Sequence, residues 1–359
     1  MRTFVTVVIC AVVAAPAAAP ALARPGSPLH EASRLSGLRV RHAVPAAALP
    51  ARRYGALYSR AWKREYPSAL RRTEATEYAR LGRVSRSVTT QPSRAWYDVS
   101  SHRLFVQRKP AAGRRALVQE YVRALIDQNF KLERLVGLRA RDRDRWYAAQ
   151  AIVGGTAALA SGLRAPAVRG TPLDRFSALG ANAGLGPGRA LAAELRYLGG
   201  RAALVSALRT FPQTTEQLLH VDKFLERERA LPVRLPARAG DAALAASETF
   251  GELDVRNFLQ AFGVSGADTA AAGWGGGRLA LYGDVAVIVL RWDTAEDAAE
   301  WQSAVPRYAA AAFPGAAART CPPLDACWGD VAAGVLGTTS VVAAGPGSAE
   351  VAGALLDSK

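Results

Sequence analysis

The segment from Leu117 to Leu132 has the spacing of a helix that could bind a catalytic metal, yet it contains no histidine. On such a helix, histidines at i and i+4 lie on one face and share a zinc ion, and the glutamate beside the first acts as a base. Here those positions are Gln119, Glu120 and Arg123. Only the glutamate of the H-E-x-x-H pattern is present. The helix therefore lacks both histidine ligands of a zinc site.

The two replacements do not offer a zinc site. A catalytic zinc needs three protein ligands from Cys, His, Asp or Glu, together with a water. The guanidinium of Arg123 stays protonated and has no lone pair to donate. Without zinc nothing lowers the pKa of a bound water toward 7, so Glu120 has no nucleophile to activate. We therefore predict no metal and no cofactor.

The role of Arg123 stays open between two interpretations. In the first, its charge replaces the lost cation and pairs with Glu120, three residues away on the same side of the helix. In the second, the side chain simply reaches solvent. A substitution of Arg123 by Ala that leaves stability unchanged would count against the buried pair.

The elements ahead of this helix are predicted from hydrophobic spacing. Residues 24–50 are rich in Pro and Ala and predict a linker. Residues 51–90 have apolar and aromatic residues at helical spacing and predict N-terminal helices broken at Pro67. Residues 95–99 and 103–107 alternate around a turn and predict a β-hairpin that leads directly into the helix.

The elements after it divide into two regions. Gly154 and Gly155 lie inside a second apolar helix and weaken it, since each glycine costs about 1 kcal/mol relative to alanine. Residues 91–236 thus predict a hairpin with a helical body. In residues 245–359, pairs of strands alternate with helices. The predicted fold class is α+β, with a mainly helical central domain followed by a smaller α+β C-terminal domain.

Several segments together resemble one family, in the same order along the chain. Residues 119–130, QEYVRALIDQNF, are similar to the active helix H-E-Y-T-H-A-L-Q-D-Q-H-F of exported bacterial proteins that resemble gluzincin-type metallopeptidases. Residues 151–157, AIVGGTA, are similar to the family's second helix, A-L-V-E-G-D-A. The resemblance continues at residues 214–225 and 272–282, TTEQLLHVDKFL and AGWGGGRLALY.

This resemblance implies a zincin-like domain over residues 91–236 with a degenerate active-site helix. The family's general-base position corresponds to Glu120. Its third metal ligand, a glutamate on the second helix, corresponds to a glycine here. All three ligand positions are therefore degenerate: Gln119, Arg123 and Gly154.

Four further residues are candidates for the cleft of such a domain. Asp127 follows Glu120 by seven residues, about 10 Å along the axis, so we expect a capping or interhelix contact instead of an acid–base pair. His220 either hydrogen-bonds a substrate or has a structural role, and one histidine cannot hold a metal. Trp274, among the glycines of 273–277, either lines the cleft or belongs to a Gly-rich turn. The four candidates are Tyr121, Asp127, His220 and Trp274.

The N-terminal sequence predicts export. Residues 1–23 carry Arg2, an apolar run and an Ala-Leu-Ala sequence typical of signal-peptide cleavage, so the mature chain would begin near Arg24. Prolines interrupt this run, which is shorter than the roughly 20 residues of a membrane-spanning helix. In an oxidising compartment, Cys321 and Cys327 would form a disulfide. We predict a secreted, periplasmic or envelope-associated protein with no transmembrane segment in the mature chain.

The charge is strongly basic, with 46 Lys and Arg against 30 Asp and Glu and a formal net charge of +16. Residues 101–145 form the most basic stretch, with 12 basic and 5 acidic residues. Two interpretations stay open, an anionic partner outside the membrane or a solvated Arg-rich face. The stretch lacks the interleaved aromatic residues of nucleic-acid readers, so nucleic acid is disfavoured.

These observations predict an exported, catalytically inactive relative of the metallopeptidases that serves as a binding or scaffold module in the cell envelope or outside the cell. Its predicted partner is a peptide or an anionic envelope polymer. The alternative is a hydrolase with altered, metal-independent chemistry in which Glu120 acts together with Asp127 and His220.

Overall fold

A computed structural model describes residues 26–82 and 93–357. The predicted signal peptide, residues 1–23, lies outside the described residues. Within the described ranges, the model contains no helix with the length and apolar character needed to cross a membrane.

The N-terminal part is structured where we predicted a linker. Ser27 caps the first helix by accepting a hydrogen bond from the backbone N–H of His30, and Pro28 occupies the first helical position, which favours a helix start. Leu29 and Ala32 are buried, so this short helix docks on the core. The elements here are α1 (Pro28–Ser36), β1 (Ala46–Leu49), α2 (Ala51–Glu65) and α3 (Ser68–Arg80). The linker prediction is therefore corrected, while the break at Pro67 is confirmed.

The central part contains the predicted hairpin and a group of helices. Strand β1 pairs in parallel with the second hairpin strand, so a three-stranded sheet has the order β1-β3-β2. A 3-10 turn at Leu132–Leu135 and a π-helical turn at Gly184–Gly188 connect the longer helices. The elements are β2 (Ala95–Asp98), β3 (Arg103–Gln107), α4 (Arg114–Phe130), α5 (Arg143–Ser161), α6 (Pro172–Ala181), α7 (Arg189–Thr210), α8 (Thr215–Leu219) and α9 (Val221–Glu226).

The C-terminal part is an eight-stranded sheet with helices on both faces. The strand order is β4-β5-β6-β7-β11-β10-β9-β8, and neighbouring strands are antiparallel. The sheet begins ahead of the predicted boundary at residue 245. The elements are β4 (Arg238–Ala239), β5 (Ala242–Thr249), α10 (Glu252–Ala261), β6 (Trp274–Tyr282), β7 (Val285–Trp292), α11 (Ala295–Ala312), β8 (Ala318–Cys321), β9 (Leu324–Trp328), β10 (Val331–Leu336), β11 (Thr339–Ala344) and α12 (Ser348–Asp357). The chain is thus a mixed α+β protein.

The predicted disulfide is confirmed. Cys321 at the end of β8 and Cys327 in β9 are bonded, with their Cα atoms 6.0 Å apart. The bond links two neighbouring strands, of which β8 is the edge strand of the sheet in the part of the chain that the structure describes.

Helices from the first half of the chain share a core with this sheet. Tyr78 on α3 and Phe176 on α6 pack in one hydrophobic cluster with residues of α10, α11 and the sheet. The Tyr308 hydroxyl on α11 donates a hydrogen bond to the carbonyl of Leu81, 3.1 Å away. A second cluster, centred on α4, α5 and α7, lies beside it. A cleft opens between helices of the first cluster and helices of the second.

Candidate functional site

A cleft of about 1090 Å³ lies between α2, α3 and the hairpin on one side and α4, α5 and α6 on the other. This volume is slightly above the roughly 300–1,000 Å³ typical of ligand sites. The three positions that correspond to the family's metal ligands all line it: Gln119, Arg123 and Gly154. The structure therefore brings together in one place the positions that the sequence resemblance singled out.

The helix α4 presents Arg123 to the cleft and Glu120 away from it. The Arg123 guanidinium donates one hydrogen bond to the Gln150 side-chain oxygen on α5, at 3.3 Å. The Glu120 carboxylate is 7% exposed and accepts a hydrogen bond from the backbone N–H of Tyr97, at 2.9 Å. Burial raises the pKa of Glu120, while the charge of Arg123 and the Tyr97 N–H act to lower it.

Of the two interpretations of Arg123, the direct ion pair with Glu120 is not formed. Among the described residues, no carboxylate oxygen lies within 4.0 Å of the Arg123 guanidinium. The reason is that Glu120 turns toward the hairpin, where the Tyr97 N–H satisfies it. Arg123 thus has no direct ion pair among the described residues, although its charge acts on Glu120 at longer range.

The glycine at the third ligand position has a packing function. A Cβ atom added at Gly154 would lie 3.2 Å from the Cα of Gly184, and one added at Gly155 would collide with the carbonyl of Gly188. The π-helical turn therefore lies directly on α5, which offsets the low helix propensity of the two glycines. Its backbone occupies the space that a glutamate side chain at position 154 would enter.

These residues do not fit a zinc ion. Gln119 is an amide, Arg123 is a fixed cation, and Gly154 has no side chain, whereas zinc takes Cys, His, Asp or Glu. The metal that the resemblance implies therefore supplies no step of any reaction here.

The walls of the cleft are rich in aromatic rings. Trp62 lies on α2 and Tyr66 directly follows that helix, and their rings form an edge-to-face pair with centroids 5.0 Å apart. Trp146 and Tyr147 on α5 form a second edge-to-face pair, with centroids 5.1 Å apart. The sequence did not identify these rings as part of a site, because helical spacing alone does not separate a core ring from a cleft ring. Half-buried Tyr and Trp offer apolar faces with a polar edge, which suits binding. The aromatic wall residues are Tyr58, Trp62, Tyr66, Trp96, Trp146 and Tyr147.

The floor of the cleft holds two buried guanidiniums that form ion pairs. Arg139 contacts Glu74 at 2.6 Å. Arg143, only 1% exposed, contacts Glu248 at 2.8 Å and Asp254 at 3.0 Å. Because Glu248 and Asp254 lie on β5 and α10, this floor joins the central helices to the C-terminal part.

A further carboxylate lies beside this floor. Glu77 on α3 is 1% exposed, and within residues 26–82 and 93–357 neither of its carboxylate oxygens has a hydrogen-bond partner. Burial raises the pKa of Glu77 to about 8, with the charges of Glu248 and Glu74 adding to the shift and Arg143 opposing it. Nothing in the sequence distinguished this residue from other helical glutamates.

Asp127 has the capping contact that we expected. Its carboxylate accepts hydrogen bonds from the backbone N–H of Leu132 at 2.7 Å and from the Tyr97 hydroxyl at 2.8 Å. It also contacts Nδ1 of His102 at 2.8 Å. Asp127 therefore ties the end of α4 to the hairpin and lies outside the cleft lining.

The other three cleft candidates also lie elsewhere. His220 contacts Glu252 at 2.8 Å, and this carboxylate is the main reason that the pKa of His220 is raised. Trp274 is buried, and its ring N–H donates to the carbonyl of Phe250 at 3.0 Å. Tyr121 packs beside the hydrophobic clusters. None of the three is part of the cleft lining.

One acidic group among the described residues has the geometry of a metal site. Oxygens of Glu216, Glu228 and Asp293 lie within 4.8 Å of one another. The ammonium of Lys223 lies among them, at 2.5, 3.1 and 2.7 Å respectively. The group is therefore an internal ion cluster, which links α8 and α9 to the C-terminal sheet.

Comparisons with known proteins concern mainly the C-terminal part. A family model described as a domain of unknown function (DUF8575) matches residues 240–354, about a third of the chain. No curated protein and no solved structure matches the chain. The cleft lining, which runs from Tyr58 to Leu185, lies outside the matched range.

Proposed function

We propose that this chain is an exported, non-catalytic binding module of metallopeptidase-like descent, whose cleft holds a peptide. One observation carries the proposal. The three positions that correspond to metal ligands line one cleft of about 1090 Å³, and none of their side chains can bind zinc. The cleft has aromatic walls, so it can bind a ligand although it lacks the side chains that would hold a catalytic metal.

Export is part of the same proposal. The disulfide between Cys321 and Cys327 fits an oxidising compartment, where such bonds form and persist. The N-terminal sequence has the charge, apolar run and cleavage pattern of a signal peptide.

The alternative, a metal-independent hydrolase that uses Glu120, finds less support in the geometry. A general base must lie within hydrogen-bond reach of the group it deprotonates. The Glu120 carboxylate is buried against the hairpin backbone, and Asp127 and His220 contact other side chains outside the cleft lining. No two of these groups converge on a common point in the cleft.

The test combines metal content with peptide retention. The full chain is expressed with export and purified without chelator or nickel, and its zinc is measured by mass spectrometry. The immobilised protein is then incubated with a random mixture of N-acetylated octapeptides with free carboxyl ends, and the retained peptides are identified. We expect zinc well below one equivalent and peptides recovered uncleaved.

A pair of variants on α3 supplies the control. Ala75 lines the cleft and is exposed, whereas Ala79, one turn further on, is exposed but does not line it. Ala75→Trp should abolish retention and Ala79→Trp should preserve it. Stoichiometric zinc, or peptide cleavage that disappears in Glu120→Gln, would overturn the proposal in favour of an enzyme. Retention of no peptide by the native chain would also overturn it.

A further inference from the structure

The cations that line the cleft differ sharply in how their charges are compensated. Arg139 and Arg143 are held by buried carboxylates, and Arg64 contacts Asp98 at 3.1 Å. Lys63, Arg71 and Arg123 form no ion pair among the described residues. Lys63 is exposed, the Arg71 guanidinium lies over the Trp62 ring at 5.0 Å, and Arg123 is hydrogen-bonded to the neutral amide of Gln150.

Arg123 has unused donors at the cleft. A guanidinium has five N–H donors in a fixed planar arrangement. Among the described residues, Arg123 makes one hydrogen bond, to Gln150, and its Nε atom is buried without a partner. An acceptor that enters the cleft would meet guanidinium donors that no described residue uses. A carboxylate matches the guanidinium in charge and in its two parallel acceptor oxygens.

We propose that Arg123 binds the C-terminal carboxylate of a peptide that occupies the cleft. The inference rests on the proposed function and adds to it the group by which the ligand is recognised. The amide side chains of Gln119 and Gln150, which also line the cleft, lie beside Arg123 on α4 and α5 and add neutral donors and acceptors. The aromatic walls contact the apolar part of the chain end.

The distribution of charge in the cleft favours the C-terminal carboxylate of a peptide over an anionic polymer as the ligand. A polymer with regularly repeated negative charges needs several cations along its path. In this cleft Arg64 and the two buried guanidiniums of the floor form ion pairs, and Glu65 adds a further carboxylate to the walls. Of the three cleft cations without an ion pair among the described residues, only Arg123 is hydrogen-bonded to a neutral amide. A single guanidinium in such surroundings suits one carboxylate.

The experiment compares peptides that differ only at the carboxyl end. Two mixtures of N-acetylated octapeptides are prepared without Asp and Glu, one with free carboxyl ends and one with amidated ends, and their retention by the full chain is measured. A hydrogen bond to a charged group contributes about 1.5–3 kcal/mol, so retention should favour the free acids by at least tenfold. Arg123→Gln should reduce this preference to about one, and Arg123→Lys should restore part of it.

Arg71→Gln is the matched control, because Arg71 is also a cleft cation without an ion pair among the described residues. It should keep the preference. Equal retention of both mixtures by the native chain would overturn the carboxylate inference and leave the proposed function intact. Retention of neither mixture would overturn the proposed function itself.

Two further arms test the source of the carboxylate. Amidated peptides that contain Asp and Glu should be retained no better than amidated peptides without them. Retention of these acidic peptides equal to that of the free acids would overturn the assignment to the chain end. Arg123-dependent retention of an oligogalacturonate in preference to the peptides would overturn the assignment to a peptide.

Discussion

Two arginines in one cleft, Arg143 on the floor and Arg123 on the α4 wall, show how the same side chain serves two purposes. Arg143 is almost completely buried and contacts two carboxylates, from β5 and α10. Arg123 is half-buried, and its one hydrogen bond to a described residue is to the amide of Gln150. The surroundings, not the residue type, decide which charge is structural and which is free for a ligand.

The difference follows from where acidic residues are placed. The floor lies where the central helices meet the C-terminal sheet, and the acids around Arg143 come from that sheet and its helix. On the α4 wall the nearest acid, Glu120, faces the hairpin instead. A buried ion pair is costly to break because the surviving charge stays in a poorly solvated place. Removing a guanidinium that has no ion pair leaves no carboxylate buried without its partner.

The largest effect is expected when the ion pairs of Arg143 on the cleft floor are removed. Arg143→Met would leave Glu248 and Asp254 buried without their cation, and removal of one partner from a buried pair destabilises a protein by about 3–5 kcal/mol. Urea-induced unfolding followed by tryptophan fluorescence measures this loss. A loss below about 1 kcal/mol would mean that the floor is hydrated and that the contrast with Arg123 is smaller than the structure indicates.

A middle-sized effect is expected for Glu77 and should depend on pH. The ordinary pKa of a glutamate is 4.5, and burial raises that of Glu77 to about 8 in the folded chain. Between these values the folded state holds a proton that the unfolded state has lost, so stability falls as pH rises, by at most about 1.4 kcal/mol per pH unit. Glu77→Gln removes this contribution. The variant should therefore gain stability relative to the native chain as pH rises from 5 to 8.

The measurement is the free energy of unfolding in urea at pH 5, 6, 7 and 8 for the native chain and the variant. Glu300→Gln is the matched control, because Glu300 is an exposed glutamate on the helix α11. A difference between Glu77→Gln and the native chain that is constant with pH would show that Glu77 keeps its charge in the fold.

Hydrophobic spacing predicted much of the fold, but not the contacts between distant segments. The helix α4, the hairpin and the strands β6, β7, β10 and β11 have strong local patterns, and the structure contains them. Strand β1 was missed because its short alanine-rich sequence is stabilised by parallel pairing with β3, more than fifty residues away. Strands β8 and β9 were missed because exposed residues dominate β8 and hide the alternation.

The candidate site was predicted in part. The three degenerate ligand positions came from a sequence resemblance, and they line one cleft. The direction of a side chain is not encoded in spacing, so Glu120 and Arg123 looked like a pair although they face different neighbours. Gly155 looked like a weak point in a helix because the segment that packs on it, Gly184–Gly188, is distant in sequence.

The smallest effect is expected for Arg123 itself, and it completes the comparison with Arg143. Arg123→Met removes one hydrogen bond, to Gln150, and also removes a buried donor that has no acceptor. These changes oppose each other, so the free energy of unfolding should change by less than about 1 kcal/mol. If the loss instead approached that of Arg143→Met, Arg123 would be a structural cation that compensates Glu120 in solution. Its charge would then not be available to a ligand, and the two arginines would serve the same purpose.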